Sequence, residues 1–147
     1  MRPATDLAAF VAGLVAGEGT FTVTQDPPKF GFAVALGASD GRTLRILWEL
    51  FEAGTIHSSP RRAAHHDDVV CFQVRRLRDL VEVVVPFMDE HLPPSHKRRQ
   101  YLAWRERLLD HWEHRARRRR PCTVDGCDAP RRAHGLCRRH LYRRHGV

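Results

Sequence analysis

No apolar run among the 147 residues is long enough to cross a membrane, which excludes a spanning helix. The apolar stretch Leu7 to Ala16 is followed by Glu18 and by no cleavage-like polar region, so it reads as a folded helix and not as a signal peptide. Without a secretory signal the four cysteines are not expected to pair as disulfides, and metal ligation is the better use for them. No internal repeat is visible, which sets aside a solenoid. No helix-turn-helix is recognisable either, which weakens the reading as a DNA-binding regulator. Acid is scarce at the end of the chain. His114–Val147 holds 11 Arg against 2 Asp, whereas Met1–Glu113 is near balance with 14 Lys+Arg and 15 Asp+Glu. The net charge of +8 therefore belongs to the tail. Such a tail either meets a polyanion, most often nucleic acid, or serves only to solubilise.

What is present is the composition of one soluble globular domain with a small appendage, 42% hydrophobic and 29% charged. Thr5 or Asp6 is placed to cap a first helix through about Gly17, with Leu7, Phe10, Val11, Leu14 and Val15 at helical spacing. Gly19 to Gln25 then alternates strictly and predicts a half-buried strand. Asp26-Pro27-Pro28-Lys29 predicts a turn, and Phe30 to Gly37 a second strand. Asp40 is expected to cap a helix whose buried stripe is Leu44, Leu47, Trp48 and Phe51, ended by Gly54. Strands follow at Thr55–Ser58 and Val69–Arg75, then a short helix from Leu77 to Val85 stopped by Pro86. A long helix is expected from about Ser95 to Arg115.

This order makes an α+β fold, αββαββα, whose twisted antiparallel sheet is covered by helices on one face only. The open face is expected to carry Thr20, Thr22, Thr24, His57, Gln73 and Arg75. Hydroxyl, amide and guanidinium groups on an exposed sheet suit base edges in the DNA major groove; the same pattern also describes an ordinary solvated sheet. Arg61 and Arg62, in a basic loop, are further candidates for DNA contact. Gly31, Ala33 and Ala35 line one strand with small groups that meet a thymine methyl but donate nothing.

The segment Val11-Ala12-Gly13-Leu14-Val15-Ala16-Gly17-Glu18-Gly19-Thr20-Phe21 resembles the motif of the LAGLIDADG homing endonucleases. The strand from Thr20, the segment Leu50 to Ile56 and the helix start Pro93-Pro94-Ser95-His96-Lys97 resemble that family in order and spacing. The likeness runs from residue 5 to about 113. It implies a site-specific DNA endonuclease making metal-dependent double-strand breaks. In the family the motif helix packs against its own copy, and Ala12, Gly13, Ala16 and Gly17 would supply the close approach. One motif per chain implies a homodimer on near-palindromic duplex DNA. Glu18 stands at the family's metal-binding acid, implying a catalytic Mg2+; as a residue alone it is equally a capping or solvated carboxylate. Lys97 matches a lysine the family keeps near its active site, and otherwise reads as a surface lysine. Arg98 and Arg99 are candidates for phosphate contact. Ala16 stands where the family often has a first Asp, a departure that bears on the helix end more than on catalysis. The alternative is a non-catalytic DNA-binding regulator or maturase-like protein on the same fold.

In the tail, Cys122-x4-Cys127-x9-Cys137-x2-His140 has the ligand type and spacing of a closed structural Zn2+ site, the other reading being reduced cysteines in a disordered tail. His134 and His145 are substitute ligands. The tail resembles small Cys/His knuckles with a Gly-Leu-Cys-x-x-His pattern, here Gly135 to His140. Arg131, Arg132, Arg138, Arg139, Arg143 and Arg144 surround it and, together with Arg117 to Arg120, are candidates for tracking DNA backbone outside the core site, adding affinity and salt dependence with little sequence information. The expected division is a nuclease-like domain at 1–115, a basic linker at 116–121 and a zinc module at 122–147. Composition and the absence of targeting signals fit a bacterial or phage cytoplasm, with no membrane association.

Overall fold

The computed structural model describes residues 3–59, 68–118 and 120–145, the side chains of 3–5, 118 and 145 excepted. It divides into two compact units, Met1–Leu108 and Leu109–Val147. In the first, α1 (Pro3–Glu18) leads directly into the hairpin β1 (Gly19–Thr24) and β2 (Lys29–Gly37). A 3-10 turn precedes α2 (Gly41–Phe51), and β3 (Thr55–Ser59) and β4 (Val69–Val74) follow. Then come α3 (Leu77–Asp79), a π-helical turn at Leu80–Val84, α4 (Val85–His91) and α5 (His96–Arg118), within which the division between units falls. The order is the expected one.

The four strands form one antiparallel sheet in the order β1-β2-β4-β3. Alternation along the strands sends Phe30, Phe32, Val34, Phe72 and Val74 into the core and leaves Thr20, Thr22 and Thr24 exposed, the period-two consequence of the pleat. The core also takes Val11 and Val15 of α1, Leu44, Leu47 and Phe51 of α2, Leu80, Val84 and Met88, and Tyr101, Trp104 and Leu108 of α5. Burying side chains of this size contributes about 1.5–3 kcal/mol each. Aromatic rings join the layers: Phe21 meets Phe32, Tyr101 and Trp104 with centroids 5.0–5.3 Å apart, and Phe51 stacks on Phe72 at 5.9 Å. Trp104 Nε1 donates to the Thr22 carbonyl at 2.9 Å, fastening α5 to the edge strand β1. The Tyr101 hydroxyl donates to Asp89 Oδ1 at 2.7 Å, and Arg105 Nε lies 3.0 Å from the same oxygen. Desolvation, first, and then the Asp89 carboxylate hold that phenol protonated well above its ordinary pKa.

Several local expectations are corrected. α1 begins at Pro3, so Thr5 and Asp6 lie inside its first turn. Asp40 occupies the N-cap position of α2 without a side-chain capping bond, because a 3-10 turn already leads the chain in. α2 ends at Glu52, in the left-handed region at φ 47°. Gly54 meets a different requirement. At φ 85° its Cα approaches β4, and a Cβ would lie 2.6 Å from the Gln73 carbonyl oxygen. Trp48 sits on the shoulder of the α2 stripe and is exposed. Pro86 does not stop its helix. The π turn widens the backbone just before it, making room for a ring that lacks an N–H, and α4 continues to His91. α5 runs to Arg118, so the first residues of the expected linker are helical. Arg61, Arg62 and the rest of the basic loop lie outside the described residues.

Gly54→Ala is expected to cost at least about 1–3 kcal/mol in urea unfolding, from the positive φ together with the clash on β4. An unchanged midpoint would mean that the β4 approach is looser than this geometry.

Candidate nucleic-acid interface and metal cluster

In the first unit, the position of Glu18 follows from a steric constraint one residue later. A Cβ on Gly19 would fall 2.6 Å from both the Val15 carbonyl oxygen and Val15 Cγ1. Glycine therefore lets helix turn into strand with no intervening loop, leaving Glu18 exposed at the helix end beside the open face. Among the described residues Glu18 has no ion-pair partner.

α1 itself is apolar all round. Ala8, Val11, Ala12 and Val15 are buried against the domain, while Phe10 is 48% exposed. Gly13 and Gly17 share its side, and a Cβ on either would meet nothing within 4 Å. At 100° per residue these three lie opposite the buried set. Two expectations are thus revised: Phe10 is not in the core stripe, and Ala12, 2% exposed, faces the domain's own core and is not available to a second copy. Ala16 is half-buried and packs partly on that core.

On the open face the strand register lines up Thr20, Ala33, Gln73 and Thr55 across all four strands. The next row holds Ala35, Cys71 and His57. Sequence pattern alone misses Thr55 and Cys71, since which residues share a row depends on strand order and register. Arg75 Nε donates to Gln73 Oε1 at 3.0 Å. This engages one lone pair of the amide oxygen and ties the two side chains together on the open face. Thr22 and Thr24 hydroxyls lie 3.5 Å from the Gly31 and Lys29 carbonyls of their own hairpin. A Cβ on Gly31 would approach Thr22 Oγ1 to 2.9 Å, so any side chain there would turn the exposed Thr22 hydroxyl aside. Burial pushes the Cys71 thiol up, partly offset by Arg75.

At the start of α5, Lys97 is half-buried and Arg99 is exposed, with Nη2 3.4 Å from His96 Nδ1. Arg98 is not a free phosphate contact. Its guanidinium donates to the Leu92 carbonyl and reaches those of Met88 and Asp89 at 3.5 Å, carbonyls at the C-terminal end of α4, of which Met88's also accepts the Leu92 N–H.

The second unit is organised about four side chains. Cys122 precedes a turn closed by Cys127 N–H on the Val124 carbonyl at 3.1 Å. The ribbon β5 (Arg131–Ala133) and β6 (Leu136–Cys137) turns through His134 and Gly135, at φ 51° and 76°, and delivers Cys137 to the start of α6 (Arg138–His145). His140, one turn into α6, completes the set. One ligand atom from each of Cys122, Cys127, Cys137 and His140 lies within 4.8 Å of the others. Cys127 and Cys137 Sγ are 3.8 Å apart, and His140 Nδ1 is 3.3 and 3.4 Å from Cys122 and Cys137 Sγ. A tetrahedral zinc has S–S edges of about 3.8 Å and S–N edges of about 3.5 Å, so the donors fit. For the Cys122 thiol, burial acts upward, yet Val124 and Cys137 N–H groups and His140 bring it down to about 6, suited to a thiolate. His134 lies in the hairpin turn, outside this set; the His145 side chain lies outside the described residues.

Compared with known families, residues 11–108, more than half of the chain, match the model described as LAGLIDADG endonuclease. The chain belongs to the LAGLIDADG endonuclease family. A probable intron-encoded endonuclease 2 of Neurospora crassa is 28% identical over 103 residues, 68% of this chain and 22% of that protein. Among solved structures, the meganuclease I-SmaMI bound to uncleavable DNA matches with a TM-score of 0.63 and 17% identity, over 74% of this chain and 38% of its own. The homing endonuclease I-TnaI matches with a TM-score of 0.63 and 22% identity, over 73% of this chain and 74% of its own. The chain thus spans about a fifth of the Neurospora crassa relative and well under half of I-SmaMI.

Arg98→Met is expected to lower unfolding stability by about 1–3 kcal/mol through the lost carbonyl partners. Its salt dependence of DNA binding should match wild type, whereas a shallower slope would return Arg98 to the phosphate contacts.

Proposed function

We propose that the chain is a metal-dependent, site-specific DNA endonuclease acting as a homodimer and hydrolysing one phosphodiester in each strand. The observation that carries this reading is Glu18, presented free at the end of a helix whose outer face is apolar and open at Gly13 and Gly17. A helix buried on one side only has no use for Phe10, Gly13 and Gly17 on the other. Two copies packed through that face would bury it, and the twofold axis would bring the two Glu18 carboxylates close together. Family membership supports the endonuclease, and the match to three quarters of I-TnaI but little over a third of I-SmaMI suits a chain supplying one half of a double site.

Each Glu18 would hold Mg2+, which when bound supplies Lewis-acid stabilisation of the phosphate and a nucleophilic hydroxide. A carboxylate oxygen is the hard donor that Mg2+ selects. Lys97 would place a positive charge near the phosphodiester. The open sheet would lie along the major groove, with the row Thr20, Gln73 and Thr55 and the adjacent His57 and Arg75 against base edges, and Arg99 on phosphate. Cys122, Cys127, Cys137 and His140 would hold one structural Zn2+, leaving no open position for catalysis. So small a unit buries little apolar surface, with Cys122, Leu136 and Cys137 as its core, and metal ligation would supply the remaining folding free energy.

Glu18→Gln should reduce magnesium-dependent cleavage of a randomised-site plasmid library by about three orders of magnitude while duplex binding persists. Binding without cleavage in either protein would favour the non-catalytic regulator. Gly17→Leu should keep the fold, since nothing lies within 4 Å of its Cβ, and convert a sedimenting dimer to monomer; a dimer that survives it would move the interface off α1. Cys137→Ser should reduce zinc from one equivalent to none by atomic absorption, and retention of zinc would exclude the proposed ligand set.

A further inference from the structure

The second unit has a surface that ligation does not use. Turning 100° per residue along α6, His140 joins the ligand cluster and Leu141 packs on Cys122, Leu136 and Cys137. Arg138, Arg139, Tyr142 and Arg143 occupy the opposite arc, and all four are exposed. The Arg138 guanidinium lies over the Tyr142 ring, 5.8 Å from its centroid, which holds both side chains on that arc. None of these arginines pairs with a carboxylate among the described residues. The acids of the segment 114–147, Asp125 and Asp128, lie in the loop between Cys122 and Pro130. A short helix fixed by its inner face to a ligand cluster, and outwardly only cationic and aromatic, is complementary to a polyanion.

We propose that the outer face of α6 is a second DNA-binding surface that grips the phosphodiester backbone of duplex DNA, adding affinity with little sequence information. Fixed guanidinium groups match phosphate geometry, and a phenolic hydroxyl adds a donor. The inference rests on the reading of duplex DNA as the partner and of the four ligands as a metal site. It is independent of whether Glu18 supports cleavage, because it is read by binding in magnesium-free buffer.

The test is the full chain against the triple variant Arg138→Gln/Arg139→Gln/Arg143→Gln, with Kd for a long arbitrary-sequence duplex measured by anisotropy across salt concentrations. The expected result is binding weaker by about 10- to 100-fold near physiological salt. The slope of log K against log salt should fall by about 2–3, at about 0.9 per phosphate lost, with zinc content unchanged. The Arg→Lys triple should recover most of the slope. Should the Gln triple lose zinc, Arg143→Glu alone takes its place, and it should weaken binding and flatten the slope. Unchanged affinity and slope in a zinc-replete variant would overturn the proposal. So would a wild-type preference for single-stranded RNA over duplex in competition, abolished by the same triple, which would make α6 an RNA-binding face.

Discussion

The constraint on which the first unit depends is the junction between α1 and β1. A helix that turns into a strand with no loop can do so only if the joining residue has no side chain, because Gly19 lies against the backbone of its own helix at Val15. That contact fixes the helix axis relative to the sheet. It sets which residues of β1 point to the core, puts Phe21 among Phe32, Tyr101 and Trp104, and holds Glu18 at the edge of the open face. A loop here would free the carboxylate to wander, and a metal site built from a residue that must first be ordered binds less well by the entropy of that ordering. The Glu18 carboxylate and the hydrophobic core are thus positioned by the same few atoms.

The two units are stabilised by different physics. The first has a continuous apolar core and carries its polar groups in satisfied pairs, such as Tyr101 with Asp89 and Trp104 with the Thr22 carbonyl. Among the described residues the second has three buried apolar residues, two of them cysteines of the Cys/His cluster. Its geometry is organised by the four converging donors, and its surface is free to be strongly basic because little of it is needed for packing.

Much of this is legible in the sequence. Alternation marks the strands and their inward residues, and the Cys/His spacing marks the ligand set that converges. The misreadings in α1 share a cause: a one-dimensional pattern does not say which face of an element is buried. In α1 the residues Leu7, Phe10, Val11, Leu14 and Val15 fit one helical stripe, but Phe10 lies on the far side with Gly13 and Gly17, so the pattern merges two stripes. Ala12 groups with the glycines by size, though the helical turn puts it inward. Arg98 and Arg99 look alike as neighbours in sequence. Only the end of α4, brought back against the start of α5, shows that one of them is engaged by carbonyl groups. Pro86 resembles a stop because a π turn leaves no sequence signature.

Binding on an open sheet and binding on a basic helix contribute differently to selectivity. Gly31 and Ala33 occupy the middle of β2, so on the proposed DNA-binding reading base-edge donors on this sheet would be concentrated on the flanking strands and on the Gln73–Arg75 pair. Each good bidentate base contact discriminates by about 1–3 kcal/mol, so a face with few of them yields a modest specificity ratio. Added phosphate contacts multiply affinity for the target and for every competing sequence by the same factor. They lengthen residence on any duplex without changing the ratio. A tail of this kind therefore suits a protein limited by how often it reaches its site more than one limited by discrimination. A homodimer reading the same small set of contacts twice would square the ratio that a single sheet provides.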